Sequence, residues 1–218
     1  MIDSTPVAPL QIACLVSGPS RGSNLKALID ACSSGEIPAQ VALVIGTRAD
    51  APALEIARAA GAHTSVISPR KYASDEAAYA ETILSRLRRH DIGLICLTGF
   101  LRQLPVAIVA AFTNRIMNVH PALLPLFGGR GMYGENVHQA VLDSGMKVSG
   151  CTVHFVDEQY DAGPIIAQVA VPVQDNDTPA SLSARILPEE HDVYVRAVKL
   201  FAEGRLCVKN RRVMVWPP

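Results

Sequence analysis

The chain carries no surplus of either charge, with 20 lysines and arginines against 20 aspartates and glutamates among 218 residues. A protein that tracks a nucleic-acid backbone needs a basic footprint, so that class is excluded, while a local anion site is not. The five cysteines, Cys14, Cys32, Cys96, Cys151 and Cys207, are odd in number and none is spaced as CxxC. Neither a disulfide framework nor a zinc knuckle is indicated, and a reducing cytoplasm fits best. No apolar run approaches bilayer-spanning length, because Gly, Pro or charge interrupts each within about ten residues. Residues 1–9 lack a basic cluster and a long apolar stretch, so they read as a short flexible tail and not as a secretory signal. Internal repeats and low-complexity segments are also missing. What remains is 49% hydrophobic, a globular composition, and the length suits one domain, 1–218, with a sizeable core.

The positive signals begin with an apolar run at 10–17 that gives way to SGPSRGSN and then to the helical spacing of Leu25, Leu28, Ile29 and Cys32. Strand, tight loop and helix follow one another, with Ser23 or Asn24 as the expected cap and Gly18 and Gly22 allowing a close turn. Such a helix start attracts phosphate, although the loop is neither a Walker A sequence nor a GxGxxG fingerprint. Further strands are predicted at 40–45, 63–67, 93–98 and 116–118, separated by helices at 53–60, 75–90 and 106–112. Alternation of this kind implies right-handed crossovers, a mostly parallel twisted sheet and helices on both faces, a Rossmann-like α/β class. Beyond Pro125 the pattern changes. A glycine-rich loop at 126–135 precedes a short helix at 136–144, and strands at 149–156 and 165–171 flank the turn DEQYDAGP, which makes the C-terminal portion antiparallel. Residues 178–204 read as helical with a break at Pro188, and 206–218 as a peripheral strand or hairpin.

The stretch IMNVHPALLP, 116–125, is the centre of this reading. In an extended chain Asn118 and His120 point the same way, so a carboxamide and an imidazole face one reacting group, and Pro121 and Pro125 stiffen the backbone beyond them. That pair suits an oxyanion. Ligands of such a sheet gather at the carboxyl ends of its strands, where the loops around Gly22, Leu101 and His120 all fall.

Five runs in fixed order, SRGSNL, LTGFLRQL, NVHPALLP, SGCTVHFVDEQYDAGPII and EEHDVY, make the chain similar to the phosphoribosylglycinamide formyltransferases from about residue 10 to residue 206. The resemblance implies a folate-dependent transferase of purine synthesis that moves a formyl group from 10-formyltetrahydrofolate to glycinamide ribonucleotide. It implies that Gly22, Ser23 and Asn24 hold the nucleotide phosphate, that Glu190 meets the glycinamide end, and that Asn118, His120 and Asp161 are catalytic. Leu101, Arg102, Gln103 and Leu104, with Asp157, Glu158, Gln159 and Tyr160, match the wall and lip of the folate pocket, and His154 matches a supporting histidine. On this reading Asn118 and a protonated His120 hold the oxyanion, while Asp161 keeps His120 cationic and helps a water take the amine's proton. No metal, nucleic acid or membrane partner is implied. A cytoplasmic location is expected, and a homodimer is compatible with the resemblance.

One departure stands out. The family's arginine near the start of the third helix is replaced here by Asp75 or Glu76 in SDEAAYAE, with Arg70 a few residues away as a substitute. Rival uses of the same residues are a zinc site from His120, His154, Cys151 and Asp161, and a non-catalytic nucleotide or folate module. Formyltetrahydrofolate hydrolases and methionyl-tRNA formyltransferases are rivals within the fold. The former are expected to carry a further domain ahead of Leu10, the latter a basic C-terminal one.

Overall fold

A computed structural model describes residues 8–18 and 20–217, so most of the expected tail, residues 1–7, lies outside the described residues. Four parallel pairings build the first half of the sheet from β1 (Leu10–Val16), β2 (Ala39–Gly46), β3 (His63–Val66), β4 (Leu94–Leu97) and β5 (Ile116–His120). Then β6 (Val148–Phe155) runs antiparallel to β5, and β7 (Ile165–Pro172) antiparallel to β6. A hairpin of β8 (Leu206–Lys209) and β9 (Arg212–Val215) completes the order β3-β2-β1-β4-β5-β6-β7-β9-β8. The mixed sheet therefore follows the sequence pattern, and the C-terminal hairpin joins it through a contact of β9 with β7.

The helices are α1 (Ser23–Ser33), α2 (Pro52–Ala59), α3 (Glu76–Arg89), α4 (Val106–Ala111), α5 (Glu135–Asp143) and α6 (Pro179–Ala202). One apolar core lies between the sheet and α1, α2, α5 and α6, and includes Cys14, Leu25, Leu54, Met117, Phe155 and Tyr194. The other lies under α3 and α4 and includes Leu15, Ile83, Ile95, Ile108 and Ile116. Strand β4 is buried at every position, as its unbroken apolar run requires of a strand covered on both faces.

Two local readings need correction. The cap of α1 is neither Ser23 nor Asn24 but Gly22, at φ 80° and without a side-chain bond, because the chain enters this helix through a left-handed turn. Pro188 does not break α6, which runs unbroken for 24 residues. The proline forfeits one backbone bond at about 3 kcal/mol, but Leu182, Ile186, Val193, Tyr194, Ala197 and Val198 form one buried stripe on either side of it. Their burial, about 1.5–3 kcal/mol for each large side chain, outweighs that loss. In β6 the polar Thr152 and His154 are as buried as the apolar Cys151, Val153 and Phe155.

Candidate active site

The antiparallel register of β5 and β6 sets Asn118 opposite His154 and His120 opposite Thr152. Met117, Cys151, Val153 and Phe155 enter the α1/α6 core, so by strand alternation the four polar side chains share the other face. Asn118 Nδ2 lies 3.2 Å from His154 Nε2, and His154 Nδ1 lies 2.8 Å from the Phe155 carbonyl. A carbonyl only accepts, so Nδ1 carries a proton, and in that tautomer Nε2 accepts from the Asn118 amide. That leaves the second Asn118 amide hydrogen free of partners among the described residues.

His120 is fixed in the same way. Its Nε2 donates to the Phe127 carbonyl at 2.8 Å, which turns Nδ1 towards Asp161 Oδ2 at 3.6 Å. The other Asp161 oxygen lies 3.6 Å from His154 Nε2, and Oδ2 also accepts from the Gly129 amide at 2.9 Å. Asp161 sits in the left-handed region at φ 51°. Two residues on, a Cβ at Gly163 would fall 1.8 Å from the Phe155 carbonyl, so only glycine lets the turn close this tightly on β6.

The side chains of His120, His154 and Asp161 are 4%, 2% and 12% exposed. Burial lowers the His120 pKa, and the opposing pull of Asp161 and the Phe127 carbonyl does not restore it. Burial pushes Asp161 up, but the facing His154 and His120 and the Gly129 amide more than offset it, and the carboxyl ends below its usual range. The resting pair is thus a neutral imidazole beside a carboxylate. The expectation of a standing His120 cation is not met, because desolvation outweighs one carboxylate at 3.6 Å.

The loop at Gly22–Asn24 lies at the same sheet edge. It is laced to the loop after β4 by Ser17 N to Gly99 O (3.1 Å), Ser20 Oγ to Thr98 O (3.2 Å) and Leu101 N to Ser17 Oγ (2.9 Å). The Asn24 side chain turns away from its own loop and donates to Glu190 Oε2 at 3.1 Å, joining positions 166 residues apart. Asn24 Oδ1 is buried without a partner among the described residues. Burial raises the Glu190 pKa, partly offset by the Asn24 bond.

Across the site, Gln103 Nε2 donates to the Glu158 carbonyl at 2.8 Å and ties the 101–104 loop to the 157–161 turn. Leu101, Arg102, Gln103, Glu158, Gln159 and Tyr160 are exposed, Leu104 is buried, and Asp157 accepts from the Gln159 amide at 2.9 Å. A hollow of about 460 Å³ behind this turn, lined by Val109, Thr113, Val156 and Asp157 among others, includes none of Asn118, His120 and Asp161. The zinc alternative fails on geometry, since Cys151 points into the opposite core from His154, and no group of three or more metal-ligating side chains forms among the described residues. Asp75, at the expected arginine, caps α3 by accepting from the Ala78 amide at 2.8 Å, while Arg70 is exposed in the short 3-10 turn Pro69–Tyr72.

The sequence model of the formyl transferase family matches residues 10–198. The chain belongs to the formyl transferase family. Among its relatives, a chloroplastic phosphoribosylglycinamide formyltransferase of Arabidopsis thaliana is 42% identical over 196 residues, covering 90% of this chain and 66% of that protein. The phosphoribosylglycinamide formyltransferase of Escherichia coli is 36% identical, covering 90% of this chain and 89% of that one. The crystal structure of glycinamide ribonucleotide transformylase 1 from Symbiobacterium toebii superposes with a TM-score of 0.89 at 45% identity, over 96% of this chain and 95% of that one. The chain therefore spans just under two thirds of the plant relative and most of the bacterial ones. No helix among the described residues of this family member is long and apolar enough to cross a membrane.

Sequence reasoning missed the Phe127 carbonyl, the Gly129 amide and Thr152, which stands opposite His120. Thr152 was within reach, since it stands two residues from His154 on one strand and so shares its face. The two backbone groups carry no residue-type signal.

Proposed function

We propose that the chain transfers the formyl group of 10-formyltetrahydrofolate to the amine of glycinamide ribonucleotide, a step of de novo purine biosynthesis. The observation that carries this reading is the convergence of Asn118, His120, Asp161 and His154 at the carboxyl end of β5. The candidate nucleotide residues Gly22, Ser23, Asn24 and Glu190 belong to the α1/α6 layer, and the candidate folate residues 101–104 and 157–160 flank the α4 layer. The two substrates then approach the trio from opposite sides of the sheet edge. The names of the relatives point to the same acceptor.

The amine attacks the formyl carbon, and as the C–N bond forms the carbonyl electron pair moves to oxygen. Asn118 donates its free amide hydrogen to that oxyanion, a contact worth about 2.7–4 kcal/mol for comparable donors. The amine's proton passes by way of Asp161 and a water to the vacant Nδ1 of His120, which becomes a cation beside the developing negative charge. Phe127 keeps Nε2 occupied, so the proton has one place to go. Collapse of the intermediate breaks the bond from carbon to N10 of the folate, and N10 takes the proton back from His120. The protein forms no covalent bond to the formyl group.

Release of tetrahydrofolate, followed by absorbance with and without nucleotide, tests this reading. Consumption of the donor should require the nucleotide, and Asn118→Ala should lower kcat by about 10²- to 10³-fold with donor binding retained. Donor consumption that ignores the nucleotide, or an unimpaired Asn118→Ala variant, would overturn it.

A further inference from the structure

Behind the trio lies a polar group that the chemistry does not use directly. Thr152 is fully buried, and the registers set His120, Thr152 and Gln168 in one row across β5, β6 and β7. The Thr152 hydroxyl donates to the Ala122 carbonyl at 2.6 Å and accepts from the Leu124 amide at 3.0 Å and from Gln168 Nε2 at 2.9 Å. Gln168 Nε2 also donates to the Leu124 carbonyl at 2.9 Å. A hydroxyl has one hydrogen and two lone pairs, and here all three are engaged. The segment it grips begins directly after His120 and leads to Phe127, whose carbonyl holds the His120 ring from its other side.

We infer that Thr152 and Gln168 are positioning residues that clamp the chain between His120 and Phe127, fixing the direction in which His120 Nδ1 points. The threonine suits this task because its branched Cβ restricts χ1 and holds the hydroxyl in one place. Gln168 reaches inward from β7 and completes the grip on Leu124. The inference rests on the proposed role of His120. A small error in such a ring's placement is costly, since a misplacement of about 1 Å costs about 10² in rate.

The test compares Thr152→Val, which keeps the shape and removes the hydroxyl, with Thr152→Ser, which keeps the hydroxyl. Thr152→Val should lower kcat by about 10- to 100-fold with both KM values within about twofold, and Thr152→Ser should restore most of it. The titration midpoint of the His120 ring, read by NMR of protein labelled in its histidines, should move in Val and return in Ser. Gln168→Leu removes two of the four bonds at a less buried position. It serves if the Val variant does not fold, and should show the same pattern at several-fold in kcat. Parental kcat in the folded variants, a loss that Ser does not repair, or an unmoved His120 titration would overturn the clamp. The NMR readout needs no turnover, so a failure of the clamp stays distinct from a failure of the transfer reading, which would show as an inactive parent with the titration shift intact.

Discussion

Replacing Asp161 by Asn separates a turn-capping carboxylate from one that works in the reaction. Asn keeps an oxygen for the Gly129 amide, now accepted at 2.9 Å, and tolerates the φ of 51°. If capping were the whole role, the cost would be about 1 kcal/mol or less of stability and turnover would persist. The charge is a different matter. Opposite unit charges about 4 Å apart interact by about 4 kcal/mol at an effective dielectric of about 20, and Asp161 stands 3.6 Å from His120 in a site where its side chain is 12% exposed. Losing it should lower the His120 pKa further, because the carboxylate opposes the effect of burial. The imidazolium that faces the oxyanion is then harder to form, and kcat should fall about 10²- to 10⁴-fold with nucleotide binding little changed. The acid limb of kcat, where His120 gains a proton at rest, should move to lower pH. Stopped-assay kinetics across pH 5 to 9 and a calorimetric binding curve measure all three quantities. A folded Asp161→Asn protein with near-parental turnover and an unmoved pH profile would refute the reasoning.

Other consequences are equally open to measurement. Ser23→Asp should weaken nucleotide binding by setting a negative charge against the phosphate at the start of α1, with folate affinity little changed; equal losses in calorimetry would reject a phosphate-specific role. Hydrogen exchange in 126–135 and in 157–161 should slow when a folate analogue binds, because the Gly129 bond to Asp161 and the Gln103 bond to Glu158 tie these segments to the site, and protection confined elsewhere would misplace the pocket. Burial holds His120 and His138 below the ordinary histidine pKa, so the unfolded chain takes up their protons first. Stability should be full above about pH 6.5 and decline as pH falls towards the folded values, and urea midpoints that stay flat from pH 7 to 5.5 would contradict this.

Much of the architecture was legible because its signals are local. The apolar runs of β1, β2, β4 and β5 and the spacing of α1 and α3 give strand, helix and order. The site was legible as far as it lies on one strand: Asn118 and His120 share a face by period alone. Pro188 misled because local propensity lost to a long buried stripe on α6. The bond from Asn24 to Glu190 could not be read, since α1 and α6 lie far apart in sequence and come together only on folding. The charge of His120 was misjudged for a related reason, because a sequence names the carboxylate partner but not the burial that outweighs it.

The most direct test of the account is a competition among acceptors. The purified chain is given formyl-labelled 10-formyltetrahydrofolate together with glycinamide ribonucleotide, initiator methionyl-tRNA and water, and the label is followed to its products. The account predicts label in the formylated nucleotide, at a rate that falls by at least about 10² in the Asp161→Asn variant. Label collecting chiefly in formate or on the tRNA would contradict it.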